Sequence, residues 1–520
     1  MKKIFLFVLL LAGTLNSHAQ QTLTNSQLRK LQLAEAAINR FYVDSVAEDQ
    51  VVESAIKAML KDLDPHSTYS NAEEVKKLTE PLNGSFEGIG VSFNMVEDTL
   101  VVIRPTVKGP SEKVGILPGD HIIAVNDTAI AGVNMAQSEI MKRLRGPKGS
   151  TVNLSVDRMG APDILKFNVV REKIPVNSLN AAYLLSNGIG YVQFDEFGNN
   201  TYSELMNAID RLQADGMESL IIDLQNNTGG YLDAAVKIAN EFLNAEEPIV
   251  YTEGRASKRK EYRANGRGSL KSVPLVVLVN QNSASAAEIL AGAIQDNDRG
   301  TIVGRRTYGK GLVQRPIELP DGSMIRLTIA RYYTPSGRCI QKPYVKGDKE
   351  SYILDIRNRS ENGELLHEDS VKLDKSVEYH TLKDNRVVYG GGGVMPDFFV
   401  PVDTTLIGEY YSKLSLSNAV RNTTIKYVNN HRKELEQKYP TFNDFYAHFE
   451  TGKDLIDELI TEGKKNKVEY DAEGLKHDED FIKLQLKALV ARDLWDTSEY
   501  NQIMGCIDPV LSKAVELLTE

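Results

Sequence analysis

Ser285 and Lys310 are the two side chains best suited to covalent chemistry in this chain. They lie in Asn282-Ser283-Ala284-Ser285-Ala286-Ala287-Glu288 and Gly309-Lys310-Gly311, with Gln314 shortly after. A serine hydroxyl becomes a nucleophile when a neighbouring base takes its proton, and lysine can be that base only when neutral. The reference pKa of ~10.4 must then fall by roughly 2 to 3 units, or about 3 to 4 kcal/mol, usually by desolvation against apolar walls. Glycines on both sides of Lys310 let the backbone close around the amine, and Tyr308, Leu312 and Val313 can supply apolar cover. Gln314, four residues on, returns to the same face in helix or strand and can orient the lysine as the third member of a triad does.

The elements around these residues must position them. Leu275-Val276-Val277-Leu278-Val279 reads as a buried strand and Ala286 to Gln295 as a helix, so Ser285 sits in a strand-turn-helix corner. Helix-start N–H groups there can hold an oxyanion. Ser285-x-x-Glu288 is also a capping-box pattern, which explains the same serine without chemistry. A second corner runs from Leu220-Ile221-Ile222-Asp223-Leu224 through Gln225-Asn226-Asn227-Thr228-Gly229-Gly230 into an amphipathic helix. That helix keeps Leu232, Ala235, Val236, Ala239, Phe242 and Leu243 on one face. Its small residues let backbone N–H groups approach a substrate carbonyl; an ordinary strand-to-helix loop has the same appearance.

The segments DLQNNTGG, NSASAAEILAGAIQD, RTYGKGLVQ and RYYTPSGRCIQ, in this order and spacing, closely resemble the carboxy-terminal processing proteases, the tail-specific Ser/Lys peptidases with a PDZ domain. The resemblance extends from about Leu31 to Pro401. It implies Ser285, not Ser283, as nucleophile, Lys310 as general base and Gln314 as the residue that positions the lysine. It also implies an oxyanion hole from the N–H groups of Ala286 and of the Gly229/Gly230 turn. Asn282 stands where the family usually has glycine and Cys339 where it often has serine. Neither change removes a catalytic group.

The rest of the chain reads as four further parts. Residues 1–19 have the pattern of a cleavable signal peptide: Lys2-Lys3, an apolar run from Ile4 to Ala12, and Ser17-His18-Ala19 before Gln20. That run is short of the ~20 residues of a membrane span. Residues 20–82 are expected to be helical until Asp64-Pro65-His66-Ser67-Thr68-Tyr69, which resembles an element of the same family. His66 reads as a packing residue. Residues 83–173 resemble a PDZ domain, in which Gly88, Ile89, Gly90 and Val91 would grip a C-terminal carboxylate and the adjoining strand edge would pair with the peptide. Residues 174–403 alternate strand and helix, which implies a mainly parallel buried sheet with active loops at strand C-terminal ends. The resemblance implies a ClpP/crotonase-like core there. Asp348 to Asp384 is charged and reads as an insertion, and residues 404–520 are helical by periodicity, with packing, dimerisation and substrate gating all open.

The fold expected is therefore a multidomain α/β and β protein, with a PDZ-like domain inserted between helical N-terminal and protease-core regions. Lys plus Arg is 61 against 71 for Asp plus Glu, net charge −10, which argues against nucleic acid as partner. No metal-ligand spacing occurs, so neither metal nor other cofactor is expected. Cys339 and Cys506 are expected as two free buried thiols, with a disulfide chemically permitted after export. The basic stretch Lys258-Arg259-Lys260, with Arg263 and Arg267, reads most simply as a solvated loop, with a substrate-facing role as the alternative. Together these readings describe a periplasmic serine endopeptidase that cleaves proteins near apolar C-terminal tails, with no membrane segment after signal cleavage and with a homodimer or adaptor as possible partners. The competing classes are a PDZ-type binding or scaffold protein on an inactive protease fold, and a ligand carrier on the related core.

Overall fold

The computed structural model describes residues 26–520; the signal-peptide pattern lies outside the described residues. Two compact units are present. One comprises the described residues up to Val75 with Gln314–Thr328 and Tyr344–Ile353; the other comprises Lys76–Val313, Ile329–Pro343 and Leu354–Glu520.

In the first unit, residues 26–41 and Glu48–Lys61 are helical, and the short strand Thr68–Ser70 pairs antiparallel with Met324–Arg326. Asp64 stops the second helix by turning the chain. Its carboxylate accepts from the His66 and Ser67 N–H groups and from the Ser67 and Thr328 hydroxyls. His66 packs, as expected, with Nε2 at 2.8 Å from the Tyr352 hydroxyl and the rings edge to face.

In the second unit a six-stranded sheet has the order Leu179–Leu185, Ile189–Phe194, Ser219–Asp223, Leu275–Val279, Thr301–Gly304, Phe398–Phe399. The first pair is antiparallel and the other four are parallel. Ser219–Asp223 and Leu275–Val279 are buried at every position, as their unbroken apolar runs require. Alternation sends Leu220, Ile222, Val277 and Val279 to one face, where helices Thr201–Ala214, Leu232–Phe242 and Ala286–Asp296 cover them. Ile221, Val276, Leu278 and Val303 face the other way, against Val510, Leu511 and Ala514 of helix Pro509–Thr519. Burying these side chains contributes about 1.5 to 3 kcal/mol each, before the entropy of ordering them is set against it.

Residues 85–175 hold a separate cluster, in which Ile140 and Leu144 of helix Gln137–Leu144 pack on Leu100, Ile122, Val152 and Leu154 of an antiparallel sheet. Strand Val91–Val96 lies at one edge of that sheet, paired on one side only, with Thr99–Pro105. The hairpin between these two strands reaches the helical region beyond residue 409. Glu97 takes Lys426 Nζ at 2.9 Å and Lys465 Nζ, and Arg104 donates to the Trp495 carbonyl and to Asp496. Two lysines hold the Glu97 carboxyl down at about 2. The helical region has its own core around Tyr411, Leu414, Phe445, Leu459, Ile482 and Leu486.

Two expectations need correction, on the basic stretch and on the cysteines. Lys258-Arg259-Lys260 lies in the strand Ser257–Arg263, the second arm of a hairpin with Pro248–Gly254, and not in a loop. Within the charged segment that reads as an insertion, Glu364 is held by Arg306 and Arg359, both at 2.7 Å, so three charges enter the interior as a network with few unmet hydrogen bonds. Neither cysteine is fully buried. Both are free, Cys339 half-buried and Cys506 exposed on the turn Gly505–Ile507, where the chain passes between two helices.

Candidate active site

Strand Leu275–Val279 ends in a tight turn, and Ser285 enters helix Ala286–Asp296 at φ 58° and ψ −113°. A non-glycine residue there stores about 1 to 3 kcal/mol, which the surrounding contacts must offset. Those contacts are visible. Ser283, two residues earlier, is fully buried and its hydroxyl donates to the Leu224 carbonyl at 2.7 Å while accepting from the Asn280 N–H. The Ala284 N–H donates to the Asn227 carbonyl at 2.9 Å. Ser283 is thus committed to holding the turn, whereas Ser285 is partly exposed at its apex.

The Gly-Gly corner presses on this apex from strand Ser219–Asp223. A Cβ on Gly229 would lie 2.7 Å from the Ser285 Cβ and 2.9 Å from the Ala286 nitrogen, so only glycine fits without displacing the serine. The Gly229 N–H donates to Asn227 Oδ1 at 2.9 Å, while the N–H groups of Gly230 and Ala286 make no hydrogen bond within the described protein. Asn227 also donates to the Phe194 carbonyl at 2.6 Å, and the Asn282 amide, on the position that departs from the family pattern, donates to Asn226 Oδ1 at 2.9 Å. Ahead of the corner, burial above all pushes the Asp223 carboxyl up to about 7, against the pull of hydrogen bonds from Tyr191 and Gln225.

Lys310 follows strand Thr301–Gly304, and Glu288 joins its loop to the serine. This carboxylate is fully buried and accepts from the N–H groups of Ser285, Gly309 and Lys310 at 2.8, 2.7 and 2.8 Å, and from the Thr307 hydroxyl at 2.5 Å. Burial pushes its carboxyl up, and these four donors pull it back toward ionisation. The Tyr332 hydroxyl is placed to donate to the carbonyl of either Ser285, at 3.1 Å, or Lys310. Arg359 secures the same loop by donating to the Thr307 and Arg306 carbonyls at 3.0 and 2.7 Å. Gln314 belongs to the other compact unit, where its amide donates to the His66 carbonyl.

The sequence pattern marks Glu288 only as half of a capping box. Its contacts across 19 to 22 residues to Thr307, Gly309 and Lys310 have no local signature. Glu288→Ala would leave four interior donors without an acceptor and is expected to cost about 3 to 5 kcal/mol of stability. Turnover should fall further than the folded fraction does. Urea unfolding beside kcat on the folded protein measures both, and an unchanged midpoint would contradict the joining role.

Residues 188–351 match peptidase family S41, residues 88–169 a PDZ domain, and residues 11–74 the N-terminal domain of the activating protease CtpB. Residues 410–496 match a family of unknown function. Over 353 residues the chain is 35% identical to the carboxy-terminal-processing protease of Bartonella bacilliformis, spanning 65% of this chain and 80% of that one. The chain belongs to peptidase family S41. Within that family it is also 32% identical over 352 residues to the carboxy-terminal processing protease CtpB of Bacillus subtilis, covering 67% of this chain and 72% of the other. The corresponding figures for CtpA of the same organism are 35% over 332 residues, 64% and 70%. The S41 match spans both the serine corner and the lysine loop, so the protein is a serine-type peptidase of the carboxy-terminal processing kind with a PDZ domain. Among the described residues no helix is long and apolar enough to cross a membrane, and no group of three or more His, Cys, Asp or Glu side chains is placed to hold a metal ion.

Proposed function

We propose that this peptidase is an exported Ser/Lys endopeptidase that selects proteins by apolar, unstructured C-terminal tails. The observation that carries the chemistry is the convergence of Ser285, Gly229 and Ala286 at one apex, with Lys310 joined to it through Glu288. Lys310 Nζ takes the Ser285 proton as Oγ attacks the scissile carbonyl. The N–H groups of Ala286 and Gly230, which have no other partner, hold the oxyanion; Gly229 serves by having no side chain. As the tetrahedral intermediate collapses, Lys310 returns the proton to the leaving amine. Water then hydrolyses the acyl-enzyme with the same lysine as base, and Gln314 is assigned to positioning it.

Tail recognition is assigned to Gly88, Ile89, Gly90 and Val91, because the strand they lead into has a free edge on which a peptide can pair. The domain division that goes with this reading is a signal peptide at 1–19, helical region 20–82, PDZ domain 83–173, protease core 174–403 and helical region 404–520. Export to the periplasm rests on the pattern of residues 1–19. A second copy or an adaptor is assigned to the helix at 26–41, where Leu28, Leu31 and Phe41 are exposed. The experiment is kcat/KM for paired substrates that differ only at the last residue. Apolar free ends are expected to be cut roughly tenfold faster than amidated ends, the worth of one charge-assisted hydrogen bond. Equal values for apolar, charged and amidated ends would remove tail selection from the function.

A further inference from the structure

The strand Ser257–Arg263 sorts its charges onto two faces by alternation. On one, Glu261 is taken by Arg259 and Arg263 at 2.7 and 2.9 Å, and the Arg259 guanidinium lies 3.8 Å from the Tyr251 ring centroid. On the other, Lys258, Lys260 and Tyr262 line a cavity of about 550 Å3. Thr252, directly opposite Lys260 in the hairpin register, lies on the same wall, and Lys237 joins from helix Leu232–Phe242. Lys237 and Lys258 have no acidic partner among the described residues. Lys260 sits 4.4 Å from the Tyr262 ring centroid, and Asp233 is the one acid in the lining. In a chain of net charge −10, this concave wall of three lysines is a local field of the opposite sign.

Its place in the chain ties it to the reaction. Tyr231, in the lining, directly follows Gly230, and Val313, also in the lining, comes three residues after Lys310. A peptide whose scissile carbonyl meets the Gly230 and Ala286 N–H groups advances ~3.3 Å per residue, so Tyr231 and Val313, neighbours in sequence of Gly230 and Lys310, bring the cavity within reach of side chains near the cut. We propose that the cavity is a substrate subsite for an acidic side chain, read by Lys258, Lys260 and Lys237, so that the enzyme selects an Asp or Glu beside the cut as well as a tail at the chain end. This rests on Ser285 as the nucleophile at that apex. Of the consecutive basic residues, only Lys258 and Lys260 meet the substrate, while Arg259 on the other face is paired with Glu261.

The test uses the full-length protein and peptide pairs in which Asp replaces Asn, or Glu replaces Gln, at each of the two residues on either side of the cut. At one position the acid is expected to raise kcat/KM roughly fivefold at low salt, the upper end for a solvent-accessible ion pair. The preference should fade at roughly 0.5 M salt, where the screening length shrinks to a few ångströms. Lys258→Gln with Lys260→Gln should bring the ratio close to one, and Lys258→Glu with Lys260→Glu should invert it. Because the reading is a ratio within one protein, partial unfolding of a variant cancels. Equal rates for acid and amide at every position, or a ratio indifferent to the charge reversal, overturns the subsite. Fluorescence-anisotropy binding of the same pairs to Ser285→Ala separates the two assignments: a ratio of one there overturns the subsite, whereas turnover by Ser285→Ala overturns the nucleophile and leaves the binding ratio standing.

Discussion

Ser285→Ala is expected to leave a folded protein with no measurable turnover. Loss of a nucleophile removes the acyl-enzyme route altogether, and in serine peptidases that costs roughly ten-thousand-fold or more. The fold should barely respond. Glu288 takes the main-chain N–H of Ser285, which alanine retains, and the packing of Gly229 is against the Cβ, which alanine also retains. What remains is the helix-start role of the hydroxyl, worth about 1 kcal/mol. Peptide cleavage and urea unfolding on the same preparation decide the matter. Retained turnover would sink the nucleophile assignment, and gross unfolding would return the serine to the capping reading that the local sequence equally supports.

Lys310→Arg should be as inactive as the serine variant although it retains a long basic side chain. A guanidinium does not give up its proton at working pH, so it cannot take one from Ser285. The main-chain contacts that hold the loop, from the Lys310 N–H to Glu288 and from Tyr332 to the Lys310 carbonyl, do not depend on the side chain. Stability should therefore change little. A serine-directed fluorophosphonate should label this variant far more slowly than the wild type, since the hydroxyl is present but has no base. Normal labelling and normal turnover would exclude Lys310 as the base.

The parts of this protein that were legible in its sequence are those whose physics is local. Leu275–Val279 and Leu220–Leu224 show as buried strands because both faces are covered, leaving no polar alternation to confuse the period. Ser285 and Lys310 stand out because the serine follows a buried strand into a helix start and glycines flank the lysine, while the chemistry assigned to them belongs to the resemblance. The joining role of Glu288 was hidden behind its own capping pattern, and that of Tyr332 behind an ordinary strand residue. The pairing of Glu364 with Arg306 and Arg359 is not legible, because composition counts charges without pairing them. Lys258 and Lys260 were misplaced in a loop for the same reason: a strand whose outer face is charged and whose inner face meets a wet cavity has no apolar stripe to announce it. In the helical region the periodicity showed the helices, but Lys426 and Lys465 gave no sign that they meet Glu97, more than three hundred positions away.

Helix Pro509–Thr519 couples the Gly-Gly turn to a segment 283 positions further along the chain. Ile221, Val276, Leu278 and Val303, on the strands that lead into both reactive loops, share one apolar cluster with Val510, Leu511 and Ala514 of this helix. Asp508 at the head of the helix accepts from Gln225 at 3.0 Å, and Gln225 opens the very turn that ends in Gly229 and Gly230. That bond adds to those from Asn226 to Asn280 and from Asn227 to the Phe194 carbonyl that already hold the turn, so loosening the helix would reach the Gly-Gly corner through Gln225.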